Sequence, residues 1–332
     1  MRSLLRAELA RAGARPFVWF VAAAVLLGVV GLVATGWWAS RPPTAAQTAA
    51  ADAAFADAMR VWEADADAVL ETCRQVTAQE DPALSAAEVA DRCATMVPVR
   101  EAFDAWRPDA AILVAERLPS AGVMVLLGAL LLGAGLVTAE FQSGAIGTWL
   151  TFAPRRGRVF VTKGAAALAV AVPTAAVALA LLVLGLVVVA AVNGVPSQVP
   201  AEHWGRVAGE GARWVVAAAG TAALGVGLGF ALRHAAAVTG VAVWWVAAVE
   251  SALPLVLPAV RWLPLSTNLT AWATGEATYT VPDCVPDPTA PAGELCRDVL
   301  HTVGAGQGAL VAGLLVAGAL AAGWCAFRLR DV

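Results

Sequence analysis

Residues 164–192 read GAAALAVAVPTAAVALALLVLGLVVVAAV, with no charged side chain and with Thr174 as the single hydroxyl. A membrane-crossing helix needs about 20 apolar residues at about 1.5 Å each, and this run exceeds that length. Reading outward from it, five further runs of the same kind occupy 16–38, 119–139, 212–232, 235–257 and 303–327. Of 332 residues, 60% are hydrophobic and 14% charged, where soluble domains carry roughly 45–50% and 25%. Mean hydropathy is +0.72. Too little polar surface remains to cover such a core in water, which excludes a soluble enzyme, and a disordered chain needs the opposite composition. The formal charge of -3 leaves no basic footprint for nucleic acid. The sequence predicts an all-α integral membrane protein with six transmembrane helices.

Sidedness follows from the basic residues. The short segments 1–15, 140–163, 233–234 and 328–332 hold 11 of the 22 Lys and Arg residues, and the positive-inside rule places them, with both termini, in the cytoplasm. The first apolar run is too long for the core of a cleavable signal peptide. Lys163 is the only lysine, and this bias, with the Ala, Val and Gly load, points to a GC-rich bacterial genome and hence to a bacterial plasma membrane. Segments 39–118, 193–211 and 258–302 then lie outside. Cys73 and Cys93 share the first of these, and Cys284 and Cys296 the last, where disulfides persist; two bridges are expected, with four free thiols as the alternative. Neither pair has metal-ligand spacing, so no metal is expected.

Segment 39–118 reads as a small helical domain. Phe55, Met59, Trp62, Ala66, Val69, Cys73 and Val76 recur at three- and four-residue steps, and Ser85 with Glu88 has capping-box spacing. Its 14 acidic residues against 7 arginines form either a solvated face or a surface for a cationic ligand. Segment 258–302 mixes Pro258, Trp262, Pro264, Trp272 and Tyr279; we expect a short helix over Leu265–Ala273 at the outer surface and irregular chain over Pro282–Pro291.

Segment 140–163 carries the most information. Phe141, Ala145, Thr148 and Trp149 fall on one helical face with Ile146 and Leu150 beside it, predicting a short amphipathic helix over Phe141–Leu150. Arg155, Arg156, Arg158 and Lys163 follow as a basic anchor at the inner headgroups. On these features alone the segment is a cytoplasmic surface helix.

The string Glu140, Ser143-Gly144, Thr148, Leu150-Thr151, Pro154-Arg155-Arg156-Gly157-Arg158-Val159 and Lys163 resembles the permease subunits of ABC-2-type ATP-binding cassette transporters, in an actinobacterial subgroup. A basic segment at Arg2–Arg15, the run Leu232–Ala237, Glu250 and Leu263–Leu265 extend the match along the chain. The resemblance implies a six-helix permease that pairs with a second copy or a related subunit and recruits two cytoplasmic ATPase subunits, which carry ATP and Mg. It implies an N-terminal amphipathic helix over 1–15 along the inner surface. It also implies a coupling helix, with Glu140, Phe141, Ser143, Gly144, Ala145, Thr148, Trp149 and Leu150 as the ATPase-coupling residues. No GxxxxGK[ST] string is present, so the ATPase is expected on a separate chain and no bond chemistry or cofactor on this one. The insertion between the first two spans departs from minimal members of the family.

The function expected is therefore ATP-driven export of an apolar or amphipathic substrate. One alternative is an ATPase-coupled protein that transmits force to an outer partner without moving a solute. Another is a secondary transporter using Glu250, the one acid expected inside a span, which reads either as functional or as a hydrogen-bonded packing residue. Gly225, Gly227 and Gly229, and Gly308, Gly313 and Gly318, read as close helix packing or as a dimer seam.

Overall fold

The computed structural model describes residues 2–152, 155–195, 200–286 and 294–330; Pro154 of the family string and 287–291 of the segment expected to be irregular lie outside them. After α1 (Arg2–Ala14), the first membrane-length helix is α2 (Pro16–Ser40). Helices α3 (Ala45–Glu80) and α4 (Ala86–Ala94) form a unit of their own before α5 (Ala110–Gln142). The short α6 (Ala145–Phe152) leads into α7 (Arg156–Val192), α8 (Ala201–Leu232) and α9 (Ala235–Trp245). Then come α10 (Leu253–Val256), α11 (Leu265–Thr274), strands β1 (Glu276–Pro286) and β2 (Glu294–Gly304), and α12 (Ala305–Leu329). Among the described residues six helices are long and apolar enough to cross a membrane: α2, α5, α7, α8, the rod running from α9 through α10, and α12. The chain is a multi-pass membrane protein. Helices α1 and α6 lie at one end of the bundle, and α11 with the sheet lies at the other.

Helix α5 is the hub, packed along α8, α7 and α2. Of its most apolar window 67% is buried, against 11% for α12 and 6% for the α9–α10 rod, so those last two turn most of their surface away from the bundle. Close contact at the hub depends on missing side chains. A Cβ on Gly133 would lie 2.1 Å from the Ala222 carbonyl oxygen, and one on Gly122 2.5 Å from the Trp214 ring. Gly225 meets the α5 backbone at Leu130, Gly227 meets α12 at Ala319, Gly229 lies against Val137 of α5, and Gly308 meets α11 at Asn268. These four of the six glycines singled out in the sequence serve contacts within the chain, while Gly313 and Gly318 face open space.

The fifth span is not a uniform α-helix. After Trp245 it widens into a π-helical turn over Val246–Ala252 before α10. Pro254 supplies the reason, because proline has no N–H and its ring clashes with the carbonyl four residues back, here that of Glu250.

The α3–α4 unit is held by local chemistry. Thr44 with Gln47 and Ser85 with Glu88 close capping boxes at the two helix starts, and the Ser85 hydroxyl bond holds the Glu88 carboxyl below its usual range. A disulfide joins Cys73 to Cys93, and Phe55 packs edge-on to Phe103 at 5.7 Å. At the root of the unit Arg107 donates to the Ser40 and Asn193 carbonyls, and Asn193 Nδ2 to Ser40 Oγ at 2.8 Å, tying the ends of α2 and α7 to the segment before α5.

The segment after α11 corrects the sequence reading. Pro282–Pro286 belongs to a strand, and the all-α expectation gains a two-stranded antiparallel sheet with Cys284 opposite Cys296 and Tyr279 opposite His301. The second disulfide joins that Cys pair, and the Tyr279 and His301 rings stack at 5.4 Å. The alternating Thr278–Val281 run and its partner Val299–Val303 favour strand. Two prolines do not forbid it, since a two-stranded ribbon has outer edges where no N–H is needed.

Candidate functional site

Helix α5 ends at Gln142, and the chain turns through Ser143 and Gly144, whose φ of 69° is a left-handed conformation that favours glycine. That turn breaks the predicted Phe141–Leu150 helix. Phe141 stays on α5 and packs at right angles to Phe230 (5.9 Å) and Phe327 (6.4 Å), in an aromatic cluster completed by Phe160 and Trp324. Phe141 is partly buried against the core and belongs to α5, not to α6. On α6, Ile146 is buried and Leu150 packs on the core. Trp149 is half-buried with the Arg11 guanidinium 4.5 Å above its ring. Ala145 is half-buried, and Gln142, Ser143, Gly144, Thr148 and Thr151 are exposed. The accessible side of this segment is small and polar; its apolar side faces inward.

Behind α6 lies a group of four charges. The Lys163 Nζ donates to Glu8 Oε2 at 2.6 Å and lies 2.5 Å from Glu140 Oε1. Arg15 Nη2 reaches the same Glu140 oxygen at 2.7 Å, and Arg15 Nη1 donates to the Leu136 carbonyl. Lys163, Glu140 and Glu8 are 0%, 1% and 4% exposed. The two carboxylates and two cations balance, which is the condition for burying them at all. Each comes from a different place: Glu8 from α1, Arg15 from the joint between α1 and α2, Glu140 from the end of α5 and Lys163 from α7. Glu140 Oε2 has no hydrogen-bond partner.

Two expectations are corrected here. Lys163 is not a surface anchor, because it neutralises two carboxylates in the interior, and Glu140 faces that cluster instead of an external partner. Arg156 also has an internal task, donating from Nη1 to the Phe327 and Arg328 carbonyls at 2.7 and 3.0 Å, where a cation suits the C-terminal end of α12. Arg155 and Arg158 are exposed. Glu8 was missed. Its only sequence signal is an acid within an otherwise basic helix, and its partner lies 155 positions away.

The last candidate, Glu250, sits in the π-helical turn. It accepts four hydrogen bonds: Trp245 Nε1 (2.7 Å), the Leu265 N–H (2.7 Å), the Ser266 N–H (2.9 Å) and Ser266 Oγ (2.6 Å). The carboxylate therefore closes the N-terminus of α11, where a negative charge is favoured. Glu250→Ala leaves these donors without an acceptor and should lower stability by about 1–3 kcal/mol, with Glu250→Gln retaining part of it. Thermal unfolding in detergent measures this; an alanine variant as stable as the parent would remove the capping role.

No family model, curated protein or solved structure matches the chain. Among the described residues no three His, Cys, Asp or Glu side chains gather where a metal could bind. The geometry offers a mechanical site: a short helix with a polar outer face, backed by an ion-paired joint that links α1, α5 and α7.

Proposed function

We propose that this chain is the membrane subunit of an ATP-driven ABC-2-type exporter, coupling ATP hydrolysis on a separate cytoplasmic ATPase to movement of an apolar or amphipathic substrate. Two ATPase copies and a second permease subunit complete the assembly, with both termini of this chain in the cytoplasm. One observation carries the reading: the Glu8–Lys163–Glu140–Arg15 cluster directly behind α6. A push on α6 passes into α5, on which it packs, and from Glu140 of α5 through Lys163 to α7 and to Glu8 of α1. The ATPases do work on the spans only through a difference in affinity between their ATP-bound and empty states.

The exposed residues choose the test. Ser143→Arg/Thr148→Arg alters the accessible face of α6 and the turn before it and leaves the half-buried Phe141 and Trp149 in place. From native membranes in mild detergent, an ATPase subunit should co-purify with the parent chain and be lost from the variant. Intact, dispersed parent protein that brings down no ATPase would sink the proposal.

The second reading, force transmission to an outer partner, draws on the α3–α4 unit, whose 36-residue α3 is about 54 Å long. Glu250, which the secondary-transporter reading needs as its ion site, already has protein donors on both oxygens.

A further inference from the structure

At the end of the bundle that carries the sheet, α8, α11 and α12 surround an apolar crevice of about 420 Å3. Val216, Gly220 and Leu224 of α8, Leu269 of α11, and Gly313 and Val316 of α12 form its walls. Two of these glycines differ from those at the hub. A Cβ on Gly220 would have only Val316 nearby, at 3.6 Å, and one on Gly313 would meet nothing within 4 Å. The space is left open and is not used for helix approach. The hydroxyl of Thr221, the one hydroxyl in the lining, already donates to the Ala217 carbonyl at 2.8 Å.

Size decides between occupants. The lining on α12 runs from Ala309 to Leu320, a rise of roughly 16 Å. Spread over that rise, a volume of about 420 Å3 makes a narrow slot that suits a hydrocarbon chain better than a helix of about 10–12 Å diameter. Charge then decides the headgroup. Arg213 stands one turn above Val216 at the mouth and is exposed. Its Nη1 leans on the Ala273 and Trp272 carbonyls at 3.3 and 3.4 Å, and Trp272 Nε1 donates back to the Arg213 carbonyl at 3.3 Å. Glu210, one turn away, accepts a long bond from Trp214 at 3.4 Å and feels the charge of Arg213, but no ion pair within 4.0 Å forms at Arg213 among the described residues. An arginine and a tryptophan above an apolar slot is the arrangement that suits the membrane interface.

We propose that this crevice binds one acyl chain of an anionic phospholipid, with the phosphate against Arg213. The site does not depend on the ATPase reading, and neither does its test. The purified chain is placed in phosphatidylcholine nanodiscs doped with phosphatidylglycerol carrying a photoactivatable group in its acyl chain, or with the matching phosphatidylcholine. After illumination, labelled peptides are mapped by mass. Crevice residues should take up the phosphatidylglycerol label about fivefold more than the phosphatidylcholine one, the preference one interfacial cation supports. Arg213→Gln should make the two lipids equal while labelling persists. Gly313→Phe should fill the slot and bring labelling down to that of Val243 on the exposed side of α9, and Gly220→Leu provides a second filling variant should the first fail to fold. Crevice labelling no higher than at Val243 in the parent chain, or labelling untouched by a folded filling variant, would overturn the proposal. So would equal uptake of both lipids by the parent.

Discussion

Lys163→Met should destabilise the protein by about 3–5 kcal/mol, the largest loss expected from any single change at the α6 end. The cost does not come mainly from the attraction removed. It comes from the two carboxylates left behind, Glu8 and Glu140, which are 4% and 1% exposed. Arg15 still reaches Glu140, but among the described residues no ion pair then answers Glu8. The same reasoning predicts a rescue, because Lys163→Met/Glu8→Gln removes the one carboxylate left without a cation and keeps Glu140 paired with Arg15. The double variant should recover most of the loss. Thermal unfolding in detergent separates the two, and a loss in the single variant no larger than about 1 kcal/mol would mean the cluster is hydrated and behaves as a surface pair.

The second large effect is local. Cys73 and Cys93 are 20 residues apart, and opening a loop of that length should cost about 3 kcal/mol by the chain-entropy account. Helix α4 has nine residues, too few to persist in water without support. Cys73→Ser/Cys93→Ser should therefore release α4 from α3 while the spans stay folded. Limited trypsin digestion reads this at Arg74 and Arg92, where cleavage should quicken roughly hundredfold, with the melting of the spans unchanged. Equal cleavage rates in parent and variant would show that the capping boxes and the Phe55–Phe103 contact hold the unit without the bridge.

The six membrane-length helices were legible because each depends on a contiguous property, the length of an apolar run. The two disulfides were legible because each pair sits within one polar segment. What escaped depended on pairings across the chain or on a single backbone angle. Helical periodicity assigned Phe141 to the same face as Thr148, and the left-handed Gly144 between them turned Phe141 toward Phe230. Lys163 followed three arginines and was read with them as a surface group. Only the approach of Glu8 and Glu140 in three dimensions makes its burial tolerable. Pro282 and Pro286 masked a strand because breakers count for less in a two-stranded ribbon than in a wider sheet. Glu250 was read as either functional or structural, and its bonds to Leu265 and Ser266 supply the structural account.

The lysine at the α6 end has a consequence for the protein's covalent chemistry. Lys163 is the only lysine in 332 residues and is fully enclosed, so the folded chain presents no side-chain amine to an acylating reagent or to any tagging machinery that acts on lysine. Such a reagent reaches Lys163 only in molecules where the packing of α1, α5 and α7 around it has opened. One amine thus reports on one joint, and its rate of modification counts how often that joint opens.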